Sequence, residues 1–185
     1  AWITINIGYA GQGMDGEILH DYFAIREGGG RLALILAANW GWPVTGGFVS
    51  RSVPFHEEWP TVTFRELGIR PGLRPLQTVK LAHFWGNYHS SVQTIIYSGT
   101  YAPMAVGNQP QARNILYCHS PPRYIYDQRK FYLASTSFLQ RPARLVLSRY
   151  IKLRYESAIS QMDCIVVNSE TVRRRVDQYL GMTSI

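Results

Sequence analysis

Three short runs constrain this chain more than anything else in it: VQTIIYSG (92–99), NILYCH (114–119) and DCIVVNS (163–169). Each is apolar at consecutive rather than alternate positions, so both faces of the strand must be covered. Between them lie segments of helical length. RPARLVLSRYIKLRYESAIS (141–160) has Pro142 placed for a first helical turn, and ETVRRRVDQYL (170–180) has Ser169 as its cap and Gly181 to close it. Upstream, EILHDYF (17–23) reads as a strand running into a loop, REGGG (26–30) as a glycine turn, and RLALILAANW (31–40) as a helix. PVTGGFVSRSV (43–53) and TVTFREL read as further strands. PLQTVKLAHFWGNYH (75–89) reads as a helix whose apolar face is Leu76, Val79, Leu81 and Phe84. Buried strands alternating with helices predict an α/β fold: a Rossmann-like parallel sheet with helices on both faces.

Composition narrows the functional classes. No apolar run approaches the roughly 20 residues that span a bilayer, and the longest, LALILAANWGW, carries Asn39. The expectation is a cytoplasmic protein, at most peripheral on the inner face of the cell membrane. Cys118 and Cys164 form no C-x-x-C pair and read as buried reduced thiols. The five histidines lack metal-ligand spacing, so no metal site is expected. The net charge of +7 is uneven: residues 1–112 balance at seven charges of each sign, while 113–185 hold twelve basic against five acidic. That asymmetry points to an anionic partner near the C-terminal half. No nucleic-acid motif accompanies it, and no nucleic-acid partner is expected.

Two features bear on chemistry. Gly28, Gly29 and Gly30 precede a helix, where backbone can approach an anion closely; an ordinary tight turn reads equally well. In NILYCHSPPRYIYD (114–127), His119 falls at the carboxyl end of a strand, where open parallel sheets bind ligands. Pro121 and Pro122 should hold the following loop extended, with Arg123 projecting towards a phosphate or carboxylate. A structural histidine at this place is the competing reading.

The segment YSGTYAPMAVGNQPQARNILYCHSPPRYIYD, a basic helix, and MDCIVVNSETVRRRVDQYLG together resemble the N-terminal half of glycosyltransferase family 4 enzymes. The bacterial mannosyltransferase-like members that build surface polysaccharides resemble it most. The likeness runs from about Glu17 to Gly181 and includes HDYF and the glycines before the first helix. It implies a GT-B enzyme of two Rossmann-like domains, transferring a sugar from a nucleotide-sugar donor to a saccharide or lipid-linked acceptor with retention and without a cofactor. Residues 14–185 would be the acceptor-side domain. The C-terminal donor-binding domain is absent from this sequence, so the chain alone is expected to be inactive. Residues 1–13 are expected to be an extension or expression remnant, since Met14 stands where a family member would start. The likeness places Gly28–Gly30 at the donor phosphate or acceptor loop and His119 at the transferred sugar. His20 and Arg123 become acceptor or anion contacts. Arg31 stands where the family often has a glutamate.

On the long helix, Arg141, Arg144, Arg149 and Lys152 fall on one side, and Val146, Leu147, Tyr150, Ile151 and Leu153 largely on the other. The apolar face is expected on the sheet and the basic face outward, either merely solvated or against an anionic membrane surface. The arginines of TVRRRVDQY diverge, and pairing of one with Glu170 or Asp177 is expected. The alternative to an enzyme is a non-catalytic binding module for an anionic glycolipid or polysaccharide.

Overall fold

A computed structural model describes residues 15–185 other than 51, 54, 71 and 73. The expected extension over residues 1–13 lies outside them.

Six strands form one parallel sheet in the order β3-β2-β1-β4-β5-β6. They are β1 (Gly16–His20), β2 (Val44–Gly46), β3 (Phe64–Glu66), β4 (Thr94–Ser98), β5 (Arg113–Cys118) and β6 (Cys164–Val167). The helices are α1 (Gly28–Trp40), α2 (Phe55–Glu58), α3 (Arg74–Trp85), α4 (Arg129–Ala134), α5 (Arg141–Ile159) and α6 (Glu170–Leu180). Two 3₁₀ segments cover Ala102–Asn108 and Phe138–Gln140. The strand order reverses direction at β1. The chain first builds outward through β2 and β3, then returns to lay β4 on the other side of β1. The crevice between β1 and β4 is the topological switch point, where sheets of this kind bind ligands beyond the strand ends.

The pleat sorts each strand between two cores. Ile18, Ile96, Ile115 and Val166 pack with Ala33, Leu34 and Ala37 of α1. Leu19, Tyr97, Leu116 and Val167 pack with Leu81 and Trp85 of α3 and with Ile151, Tyr155 and Ile159 of α5. Alternation along a strand then has a consequence at the tips. His20 falls on the α1 face and Asp21 on the other.

Three sequence expectations need correction. The three glycines are not a turn: they form the first turn of α1, whose N-cap is Glu27. Helix α3 buries Leu81, Ala82 and Trp85 and leaves Leu76, Val79 and Phe84 exposed. The wholly buried Trp85, the largest side chain available, sets the rotation of the helix. Helix α5 likewise turns Ile151, Tyr155, Ala158 and Ile159 inward, while Val146, Tyr150 and Leu153 face solvent. The inner stripe continues to the helix end, and at about 100° of rotation per residue Val146, Tyr150 and Leu153 fall on the opposite side of the helix. Helix α6 has its expected ends: Ser169 Oγ accepts from the Val172 N–H at 3.4 Å, and Gly181 closes the helix at φ 63°.

Candidate functional site

The register of the sheet assembles the site. His20 ends β1 beside Ser98 of β4, and Ser98 lies beside Tyr117 of β5, two residues before His119. All point to the α1 side. Ser98 Oγ therefore sits between two imidazoles, 3.1 Å from His20 Nδ1 and 3.3 Å from His119 Nε2. Above them lies the first turn of α1. A Cβ on Gly29 would stand 3.2 Å from the His119 ring, and one on Gly30 would meet His20 Nε2 at 3.5 Å and Phe23 at 3.4 Å. The glycines thus admit the two rings against the helix N-terminus; a side chain at Gly29 would force the His119 ring to move. Gly28 borders open space.

Hydrogen-bond logic assigns the protons. The Glu27 carboxylate lies 3.6 Å from His20 Nε2, which is buried and makes no hydrogen bond. At that distance the carboxylate favours a proton on Nε2 by Coulomb attraction. Nδ1 of His20 is then the acceptor for the Ser98 hydroxyl, and Ser98 Oγ accepts from His119 Nε2–H. Burial, reinforced by the neighbouring His20, pushes the His119 imidazole down to about 4; Glu27 opposes the shift. His119 is thus neutral at pH 7, with Nδ1 as its acceptor.

The order Ser98, His20, Glu27 has the components of a nucleophilic triad, but Ser98 is only 2% exposed and both its sides are taken by rings. It cannot attack a substrate. Its chemistry is to hold both imidazoles in the Nε2–H tautomer, accepting from His119 and donating to His20, which leaves the partly buried His119 as the more accessible ring of the pair.

Asp21, on the opposite face, fixes the neighbouring strand end. Its carboxylate accepts from the N–H groups of Thr100 at 2.7 Å, Tyr101 at 2.7 Å and Ala102 at 2.8 Å, capping the 3₁₀ segment Ala102–Asn108. Gly99 makes this possible: its φ is 118°, and a Cβ there would lie 2.3 Å from the Asp21 carboxyl carbon. Burial pushes the Asp21 carboxyl up, opposed by the Ala102 N–H, His20 and the other two N–H donors.

The loop beyond His119 is not extended. The Pro122 carbonyl accepts from Ile125 N at 2.9 Å and Tyr126 N at 3.2 Å, so the proline pair opens a helical turn, a place its fixed φ suits. Arg123 is half exposed and turned back to Asp127 at 3.1 Å. Asp127 also receives Arg175 at 3.6 Å, and Arg175 donates to Ser120 Oγ at 3.3 Å. Arg173 and Arg174 both pair with Glu170, at 3.4 and 3.5 Å.

A cavity of about 470 Å³ opens beside the N-terminus of α1, lined by Arg26, Glu27, Arg31, Phe55, Glu58 and Trp59 among others. Arg26 pairs with Glu58. Glu27 and Gly28 border this cavity, and Glu27 also approaches His20, which makes the cavity adjacent to the histidine pair.

The structure brings together His20, His119 and Gly28–Gly30. It places the four basic residues of α5 elsewhere. Arg141 donates to the Thr136 carbonyl at 3.2 Å, and Arg144 bonds Thr136 Oγ1 and lies over the Tyr132 ring. Lys152 pairs with Glu156 at 3.6 Å, and Arg149 is exposed. Sequence reading missed Ser98, Glu27 and Asp21; the signal for Ser98 was a hydroxyl closing the apolar run TIIYS at a strand's carboxyl end. Cys118 is buried, and its thiol is pushed up to about 12 by that burial; Cys164 is half-buried. Among the described residues, no group of three or more His, Cys, Asp or Glu is placed to hold a metal ion, and no helix is long and apolar enough to cross a membrane. Compared with protein-family models and with curated proteins, the chain matches none.

Proposed function

We propose that this chain is the acceptor-side domain of a retaining glycosyltransferase of the family 4 kind. It would move a sugar from a nucleotide-sugar donor, supplied by a second domain, to a saccharide or lipid-linked acceptor. One observation carries the reading. The glycine segment and the strand-tip histidine, two features of the family likeness about 90 residues apart in sequence, touch at the switch point of the sheet. A neutral His119 with a free acceptor nitrogen suits a sugar hydroxyl, and Gly28, which borders open space, lets a ligand approach the N–H groups at the start of α1. The cavity beside Glu27 combines Trp59 with arginine and glutamate side chains. An aromatic ring and paired charged groups are what a saccharide ring needs for stacking and hydrogen bonds.

The test uses a polypeptide extended through the donor-binding domain that this reading requires. Incubated with labelled nucleotide sugars and lipid-linked saccharides, it should transfer sugar, and His119→Ala should lower turnover about 100-fold. Undiminished turnover in that variant would remove His119 from the chemistry.

The non-catalytic alternative is favoured by one feature: the cavity beside Glu27 sets the Phe55 and Trp59 rings next to Arg26, Arg31 and Glu58 of this same domain. A saccharide that binds the 185-residue chain, with affinity indifferent to His119→Ala in a protein that turns over no nucleotide sugar, would select it.

A further inference from the structure

The charge of this protein resides in one arm. Between Asp127 and Glu156 the chain has seven Lys and Arg and no Asp or Glu, while all the rest holds twelve of each sign. The arm comprises α4, the 3₁₀ turn Phe138–Gln140 and the greater part of α5. It also carries the four most exposed large apolar side chains among the described residues: Leu139 at 88%, Phe138 at 78%, Val146 at 71% and Phe131 at 68%. Neither α4 nor the 3₁₀ turn contributes a buried residue.

On α5 the outward residues are ordered. Val146, Arg149, Tyr150 and Leu153 recur at i, i+3, i+4 and i+7, which makes a second stripe facing away from the buried one. Arg149 within the stripe is exposed, as are Arg129 and Lys130 on α4. A merely solvated surface has no use for adjacent Phe and Leu at its tip. A second copy docked arm to arm would bring two sets of seven positive charges together. Exposed apolar side chains on the same arm as exposed arginine and lysine, with the exposed Tyr150 in the stripe, match a bilayer interface: apolar groups at the acyl boundary, aromatic rings at headgroup depth, cations on phosphates.

We propose that the arm from Gln128 to Tyr155 docks the protein on an anionic lipid bilayer. The Phe138–Leu139 turn and the Val146/Tyr150/Leu153 stripe enter the boundary, and Arg129, Lys130 and Arg149 meet lipid phosphates. This differs from attachment through the sequence-expected basic side, since Arg141 and Arg144 are folded back on Thr136. It does not depend on the chemistry proposed for the cleft.

The experiment is flotation of the chain with vesicles of phosphatidylcholine, with and without phosphatidylglycerol. Binding should require the anionic lipid and weaken as salt screens the charges. Phe138→Ser with Leu139→Ser should lower partitioning on the order of tenfold or more. Arg149→Glu should lower it several-fold, roughly as expected for one reversed surface charge. Phe138→Trp should give indole fluorescence quenched by brominated acyl chains. Equal binding to neutral and anionic vesicles would overturn the proposal, as would full binding by the Phe138/Leu139 double variant. Self-association of the chain abolished by that double variant, with no vesicle binding, would assign the arm to a second copy and overturn it equally.

Discussion

The strand-tip cluster and the basic arm break the same rule in opposite directions. At the carboxyl end of the sheet, polar groups lie where apolar ones are the default: His20, Asp21 and Ser98 are all buried. In the arm, Phe131, Phe138, Leu139 and Val146 lie where polar groups are the default. The two departures differ in what stabilises them. The buried polar groups are held almost entirely by hydrogen bonds inside the chain, so the fold depends on them. The exposed apolar groups bury little surface, so the fold gains little from them, and the docking proposed for the arm gives them a use outside it.

That difference is broken most directly at Asp21. Asp21→Ala would strand three backbone N–H groups that the carboxylate now satisfies. With each buried unsatisfied donor costing about 1–3 kcal/mol, the loss should be about 3–5 kcal/mol once water recovers part of it. Asp21→Asn keeps an acceptor oxygen and should lose less. Urea unfolding of the two variants measures this. A loss below about 1 kcal/mol for Asp21→Ala would mean the cap is not structural.

The second effect is a pH dependence at His119. Its folded imidazole is held down at about 4, below its ordinary value of 6.5, by burial and by His20. Between those two values the unfolded chain binds the extra proton and the folded chain does not. The stability present above pH 6.5 is therefore lost progressively as pH falls towards 4. At about 1.4 kcal/mol per unit, and discounted because the ring is partly exposed, the loss should be about 1–3 kcal/mol. Asp21, pushed up by burial, acts in the opposite direction: its contribution is present at low pH and lost as pH rises through its folded value. The informative quantity is thus the difference between wild type and His119→Gln, whose amide can retain the bond to Ser98. The variant should show the flatter decline in thermal stability from pH 7 to 4. Identical slopes would mean His119 titrates freely.

How far the sequence led differs between the same two regions. Continuous β-branched runs such as TIIYS identified the parallel sheet, because two-sided burial leaves no alternating pattern. His119 was legible because it follows such a run directly. The partners of His119 were not. Ser98 and His20 are neighbours only through the pairing register, and Glu27 only through the start of α1, neither of which a single run encodes. In the arm, the helix expected over 141–160 matches the observed Arg141–Ile159, but its faces are misjudged. Helix α5 has two apolar stripes, and sequence alone cannot say which one meets the core. Arg144 illustrates the error: its helical position was read as outward, yet its guanidinium covers Tyr132 and bonds Thr136.

The two stripes of α5 allow the smallest effect to be the most telling. Ile151 is wholly buried, and Leu153, two residues on, is 58% exposed. Ile151→Ala should cost about 2–5 kcal/mol, as for a large side chain deleted from a packed core. Leu153→Ala should change stability by no more than about 0.5 kcal/mol, since alanine is at least as good a helix former and no packing is lost. The same Leu153→Ala protein should bind anionic vesicles more weakly. A side chain whose removal leaves the fold unmoved and the lipid partition reduced has its function at the surface. If Leu153→Ala instead destabilised the protein as Ile151→Ala does, the outer stripe would belong to the core and the contrast between cleft and arm would fail.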